Sequence, residues 1–214
     1  MTSAADQEKT DNPMIMLGIL ESVERDGVQS QRHLAAELGV ALGLVNAYLK
    51  RCVKKGLLKV SEAPARRYAY YLTPHGFSEK SRLTVQYLSH SFDFFRRAKS
   101  DCSALLQAAE LRGIRRIVLA GKSDLAEIAA ICALDHGIEI TAVVDAKAVE
   151  ARFVGVPVRP DYDSVDQVFD AVLITDMLTA RERAEQAIAR FGDERVLIPQ
   201  LLRVRVSKPQ GAAS

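Results

Sequence analysis

The chain has 214 residues, 48% hydrophobic and 26% charged, with a formal net charge of +2. This is an ordinary globular composition, long enough for two small domains. No apolar run approaches the roughly 20 residues of a membrane helix.

The small net charge hides an asymmetry. Between Val28 and Ser100 there are 13 Lys/Arg against 4 Asp/Glu, or +9, whereas Met1–Gly27 carries −4 and Asp101–Ser214 carries −3. A basic middle beside a mildly acidic half predicts a polyanion partner for one half only. Residues 1–12 are polar and lack the hydrophobic core of a secretory signal. They read as a disordered tail, as do residues 207–214. Cys52, Cys102 and Cys132 are odd in number and far apart, which fits neither a disulfide framework nor a zinc site. A reducing cytoplasm is the expected compartment.

Residues 13–76 read as three helices and a hairpin. "NPMIMLGILESVERDG" places Met16, Leu17, Leu20 and Val23 on one helical face, with Pro13 in the first turn and Gly27 as the stop. "QSQRHLAAELGV" restarts the helix, with Ser30 as N-cap and Leu34, Ala35 and Leu38 as its apolar stripe. After the Gly39 turn, "ALGLVNAYLKRCVKKG" turns Val45, Leu49, Cys52 and Val53 inward and ends at Gly56. Two helices, a tight turn and a basic helix are the order of a helix-turn-helix. The β-prone runs "LLKVSEA" and "RRYAYYLT" around "APAR" complete a winged helix, with Arg66 and Arg67 at the wing tip.

Helical spacing puts Ala41, Leu42, Gly43, Asn46, Ala47 and Lys50 on the outward face of the third helix. Asn46 carries an amide able to pair with adenine. Lys50, Arg51 and Lys54 suit phosphates, as do the wing-tip arginines and Arg32 near the start of the second helix beside Ser30. Double-stranded DNA is the expected partner.

This stretch resembles the MarR-like winged-helix regulators associated with exopolysaccharide gene clusters. The resemblance covers Pro13 to Leu88 and is carried by "LG…VN.YLK", "YAYYLTP.G" and "EK.RLT" in that order. It implies sequence-specific DNA binding and control of surface-polysaccharide genes. One departure is Leu44, at a position of the recognition helix where that family usually has a polar or basic residue.

Residues 77–112 contain neither glycine nor proline. Leu88, Phe92, Phe95, Cys102, Leu106 and Ala109 follow near-heptad spacing, broken at Lys99. A connecting helix that pairs two copies is expected, with "SHS" at Ser89–Ser91 as a possible interruption. His33, His75, His90 and His136 have no partner at metal-ligand spacing, so no metal is expected.

Residues 113–206 alternate. "IRRIVLAG", "IEITAVVD", "DAVLITD" and "ERVLIPQLL" read as strands, "SDLAEIAAICALDHG" and "TARERAEQAIARFG" as helices, "VGVPVRP" as an extended piece and "SVDQVF" as a short helix. This is an α/β Rossmann-like domain with a small parallel sheet. It resembles the small Rossmann domain at the N-terminus of polysaccharide-biosynthesis enzymes such as sugar acyltransferases and nucleotide-sugar dehydratases. "VLAG", "AVVD", "GVPV" and "DAVLIT" carry that resemblance, which implies a nucleotide or nucleotide-sugar ligand.

In "IVLAGKSDLAE" the three glycine positions of a dinucleotide loop read Gly121, Ser123 and Ala126. Lys122 adds a cation and Asp124 a carboxylate that either repels phosphate or caps the helix. Asp145 and Asp176 end the next strands on the edge where such folds bind ligands. These residues form a modified or retired effector site. Two further readings stay open. One is a Rex-like NAD(H) redox-sensing repressor. The other is an interaction module that docks a biosynthetic enzyme. There is no nucleophile elbow, P-loop or paired His/Cys, so no catalytic residue is named and an enzyme is not expected.

Overall fold

The computed structural model describes residues 12–27, 30–63 and 67–203. The chain divides into two compact units, Met1–Phe92 and Asp93–Ser214. The first is a winged helix and the second an α/β domain built on a mostly parallel sheet.

Helix α1 (Pro13–Arg25) begins where Asn12 Oδ1 accepts the Met14 N–H at 2.9 Å, with Pro13 preset for the first turn. It buries Met16, Leu17, Ile19, Leu20 and Val23. Helix α2 (Gln31–Glu37) starts at Ser30, whose hydroxyl accepts the His33 N–H. Ser22 Oγ donates to Glu37 Oε2 at 2.7 Å, and Arg25 pairs with the same carboxylate, so α1 and α2 are tied by polar bonds as well as by packing. Those bonds, the Ser22 hydroxyl first, hold the Glu37 carboxyl below its usual value.

Helix α3 (Leu42–Lys54) turns Val45, Tyr48, Leu49 and Cys52 into the core. Strands β1 (Leu58–Ala63) and β2 (Arg67–Leu72) pair antiparallel from Leu58↔Leu72 to Ala63↔Arg67. Pro64, Ala65 and Arg66 lie outside the described residues, as does the side chain of Arg67.

Helix α4 (Pro74–Leu111) starts three residues before the Phe77 expected from composition. The reason is local. Thr73 Oγ1 accepts the Gly76 N–H at 3.0 Å, capping the helix, and Pro74 is tolerated in its first turn. The same hydroxyl donates to Gly56 O at 2.6 Å. The helix is continuous through Ser89–Ser91, so the expected interruption is absent. Its apolar stripe is divided between two environments. In the first unit Val85, Leu88 and Phe92 stand in solvent. In the second, Ala98, Cys102, Leu106 and Ala109 are buried.

The sheet of the second unit has the order β5-β6-β4-β3-β7-β8. Strands β3 (Arg116–Ala120), β4 (Glu139–Val144), β6 (Val156–Arg159), β7 (Ala171–Ile174) and β8 (Val196–Leu197) pair in parallel, and β5 (Arg152–Phe153) adds antiparallel at the edge. The chain winds outward from β3 to β4 and β6, then returns to β7 and β8. That is the doubly wound order, with its switch point between β3 and β7.

On one face, α4 and α5 (Asp124–Asp135) cover Ile117, Leu119, Val143 and Leu173. On the other, α6 (Ala180–Phe191) covers Ala120, Val172 and Ile174 through Ala184 and Ala187. "SVDQVF" is not a helix; the Ser164 N–H and hydroxyl both bond Asp161 Oδ1, which holds a turn instead. The β7 strand is aligned at its start by Asp170, whose Oδ2 accepts the Arg115 and Arg116 N–H groups at 2.9 and 2.8 Å.

All three cysteines are free and buried. Burial pushes the Cys52 thiol up to about 11 and the Cys102 thiol up to about 12. They act as small apolar core residues.

Candidate nucleic-acid interface and the carboxyl end of the sheet

The inner face of α3 fixes what its outer face presents. Tyr48 is fully buried and its hydroxyl accepts the Asn12 N–H at 2.5 Å. With Val45, Leu49 and Cys52 also inward, Ala41, Leu42, Gly43, Ala47, Lys50 and Lys54 are exposed. Arg32 is exposed on α2. Ser30 is exposed too, with its hydroxyl engaged as the α2 cap. Arg51 is turned away from this face; its guanidinium lies 5.1 Å from the Tyr48 ring centroid and is half-buried. Leu44, the departure from the resembled pattern, is half-buried against the core rather than outward.

Asn46 sits between these environments. It lines a cleft of about 400 Å³ with Gln31, Leu49, Lys50, Val53, Val60, Tyr68 and Tyr70. Its Oδ1 is buried there with no hydrogen-bond partner among the described residues. Gln31 and Tyr68 were not singled out in the sequence. Gln31 Nε2 donates to the Tyr70 hydroxyl at 3.0 Å, and Tyr68 is exposed at the cleft mouth. The period-2 alternation of β2 is the signal that puts Tyr68 and Tyr70 on one face.

At the carboxyl end of the sheet, the structure brings Gly121, Lys122, Ser123, Asp124, Asp145 and Asp176 together. Gly121 has φ +110°, and a Cβ there would lie 2.5 Å from Asp176 Cβ. Its glycine is demanded by the neighbouring strand end. Ser123 is the N-cap of α5, accepting the Ala126 N–H at 3.2 Å and donating to Thr175 O at 2.6 Å. Asp124 is the first helical residue and exposed, so it is not the cap.

Asp145 accepts the Lys122 and Lys147 N–H groups, each at 2.9 Å. Asp176 Oδ1 accepts the Leu178 and Thr179 N–H groups at 2.8 Å, and its Oδ2 accepts the Thr179 hydroxyl at 2.7 Å. Arg183 of α6 lies 3.4 Å from Asp176 and 3.8 Å from Asp145, joining the two. Arg183 went unnoticed in the sequence because nothing local ties a helix arginine to two strand ends. Lys122 pairs with Glu150 at 2.5 Å and lies over the Phe153 ring.

A cleft of about 370 Å³ remains beside this turn, its rim set by Asp124, Glu127, Asp145 and Glu150 against Lys122 and Lys147. The N–H groups of Gly121, Lys122 and Ala126, which a phosphate loop would aim at its ligand, are bonded to protein oxygens.

Residues 15–59 match the family model described as winged helix-turn-helix DNA-binding. The N-terminal unit is a winged helix-turn-helix domain of the DNA-binding type. No protein of curated function matches the chain.

Solved structures similar to it include the PcaV transcriptional regulator of Streptomyces coelicolor in complex with its natural ligand, at 22% identity and a TM-score of 0.36 over 38% of this chain and 59% of that one. A MarR family transcription regulator is similar at 22% identity and a TM-score of 0.34, over 37% of this chain and 54% of that one. The chain thus spans little more than half the length of either regulator. Human N-acetylserotonin methyltransferase in complex with SAM is similar at 14% identity and a TM-score of 0.28, over 76% and 66%. No helix among the described residues is long and apolar enough to cross a membrane.

The bonding of Asp176 has a measurable consequence. Burial raises its carboxyl, but the Thr179 N–H and hydroxyl, the Leu178 N–H and the Arg183 charge together outweigh that and hold it below its usual value. The Arg115 and Arg116 N–H groups lower Asp170 likewise. A carboxyl lowered by folding stabilises the fold above its unfolded pKa, and that stability is lost as pH falls through the folded value. The C-terminal unit is therefore expected to lose stability below about pH 4. Asp176→Asn keeps an acceptor without charge and should flatten that acid limb. Asp176→Ala should lower stability at pH 7 by about 2 kcal/mol. Thermal unfolding between pH 7 and pH 3 checks both.

Proposed function

We propose that the protein is a DNA-binding transcriptional regulator that works as a homodimer. The observation that carries the reading is the winged helix-turn-helix with an exposed α3 face bearing Lys50 and Lys54, and half-buried Asn46 beside it, in the basic part of the chain. The lysines neutralise phosphates and the first turn of α3 meets base edges.

Dimerisation is supported by α4. Val85, Leu88 and Phe92 recur at i, i+3 and i+7 and are 64%, 45% and 58% exposed. Burying each large apolar side chain stabilises by roughly 1.5–3 kcal/mol. A second copy covers the stripe with its own and pairs two winged helices over two half-sites.

The C-terminal unit is the proposed sensor, with the sheet-end cleft as its effector site. The doubly wound order and the resemblance of residues 114–199 support a nucleotide or nucleotide-sugar. Four carboxylates on the rim oppose any pyrophosphate, that of a Rex-like sensor's dinucleotide and that of a nucleotide-sugar alike, so the nucleotide-sugar reading rests on the resemblance and the sheet order and not on the charge of the rim. Control of surface-polysaccharide genes is supported by the resemblance of residues 13–88 alone.

Fluorescence anisotropy with duplex DNA across a salt series tests the DNA reading. The full chain should bind with salt-sensitive affinity. Lys50→Gln and Lys54→Gln should each reduce the log–log salt slope by roughly 0.9 per DNA-bound unit. Arg51→Ala should leave the slope unchanged and lower the unfolding temperature instead. Salt-independent or absent binding would remove the proposal. Sedimentation velocity tests the dimer: a Leu88→Glu/Phe92→Glu variant should run as a monomer with wild-type helical content, and a monomeric wild type would contradict pairing through α4.

A further inference from the structure

The first turn of α3 makes three concessions that the fold of the N-terminal unit does not require. Its N-cap is Ala41, with no side-chain cap bond, whereas α1 and α2 are capped by Asn12 and Ser30. A Ser, Thr, Asp or Asn there would stabilise the helix. Its second residue is Gly43, a poor helix former, and a Cβ at Gly43 would meet nothing within 4 Å. Its first residue is Leu42, a large apolar side chain 39% exposed. With Ala47 one turn on, the outcome is a small, smooth, uncharged surface at the end of the helix that reads bases.

A second observation lies beside it. Asn46 Oδ1 is buried without a partner among the described residues, a state that disfavours the present amide orientation. Turning the amide outward gives Oδ1 the donor it lacks. Adenine offers N6–H to Oδ1 and takes a hydrogen bond at N7 from Nδ2.

From these we infer that α3 reads A·T pairs, with Leu42 and Ala47 against thymine C5-methyl groups, Gly43 letting the backbone approach the groove, and Asn46 on a neighbouring adenine. Guanine is the base of arginine and lysine. The one arginine of α3, Arg51, is held over Tyr48, and Lys50 lies two turns from the helix start. The specificity of this face is therefore apolar and amide-based. The inference rests on the DNA-binding reading above and adds which base chemistry that face selects.

The test uses the full chain. A random duplex library is enriched by binding, and the enriched duplex is remade with deoxyuridine for thymidine, which removes only the methyl groups. The enriched half-site should be A·T-rich under α3, and affinity should fall about fourfold per contacted methyl lost. Leu42→Ala should narrow the difference between thymine and uracil duplexes. Gly43→Ala should keep or raise the unfolding temperature while weakening the enriched duplex more than a random one. Lys50→Gln should weaken both equally. Equal affinity for thymine and uracil duplexes, or an invariant G·C pair at the centre of the half-site, overturns the inference while leaving DNA binding intact. Absence of salt-sensitive binding to any duplex overturns the DNA reading itself.

Discussion

The anchoring of Tyr48 is the constraint on which the N-terminal unit depends. Its ring is fully buried on the inner face of α3, its hydroxyl accepts the Asn12 N–H that opens α1, and Arg51 covers the ring from outside. Because one aromatic side chain ties the start of α1 to the middle of α3, the rotation of α3 about its axis is set. Lys50 and Lys54 then face solvent, and Arg51 is half-buried over the Tyr48 ring. A basic helix thus becomes a surface with defined chemistry: two ammonium groups toward its end, and an amide with small apolar residues at its start.

The C-terminal unit follows the opposite logic at its most ligand-like corner. A doubly wound sheet offers a crevice at its switch point, where a dinucleotide loop would keep its N–H groups outward. Here the strand ends β3 and β7 are in contact through Gly121 and Asp176, and Arg183 ties Asp145 to Asp176. The carboxylates that could hold a ribose act as turn caps. What is left is a shallow, acid-rimmed cleft, chemically unlike a pyrophosphate site. The Lys122–Glu150 pair lies on the rim of that cleft.

Local signals made much of this legible in the sequence. Ser30 acts through a bond three residues on, so the start of α2 can be seen in a short window, whereas the cap of α5 is Ser123, one residue before the expected Asp124. The Thr73–Pro74 start of α4 is equally local, although the absence of Gly and Pro begins only at Phe77. The apolar spacing of "SVDQVF" is helix-like, while the bonds that decide its turn come from Asp161, outside that window. The arrangement of the sheet end was illegible for another reason. Asp145, Asp176 and Arg183 meet only because the strand order brings two strand ends beside α6, and no spacing rule encodes that. The split of the α4 stripe into an exposed and a buried part is likewise a tertiary result. Apolar residues recur three or four apart in both parts, and the part that packs in the core of the sheet domain is the buried one.

The central claim is that the α2–α3 surface is the part of the molecule that meets DNA. Hydrogen–deuterium exchange of the full chain with and without duplex DNA tests it most directly, because it locates the contact without altering a residue. The account predicts slowed exchange concentrated in residues 30–54, with the sheet end at residues 121–127 unchanged. Unaltered exchange in residues 30–54 at saturating DNA, or protection confined to the C-terminal unit, would contradict it.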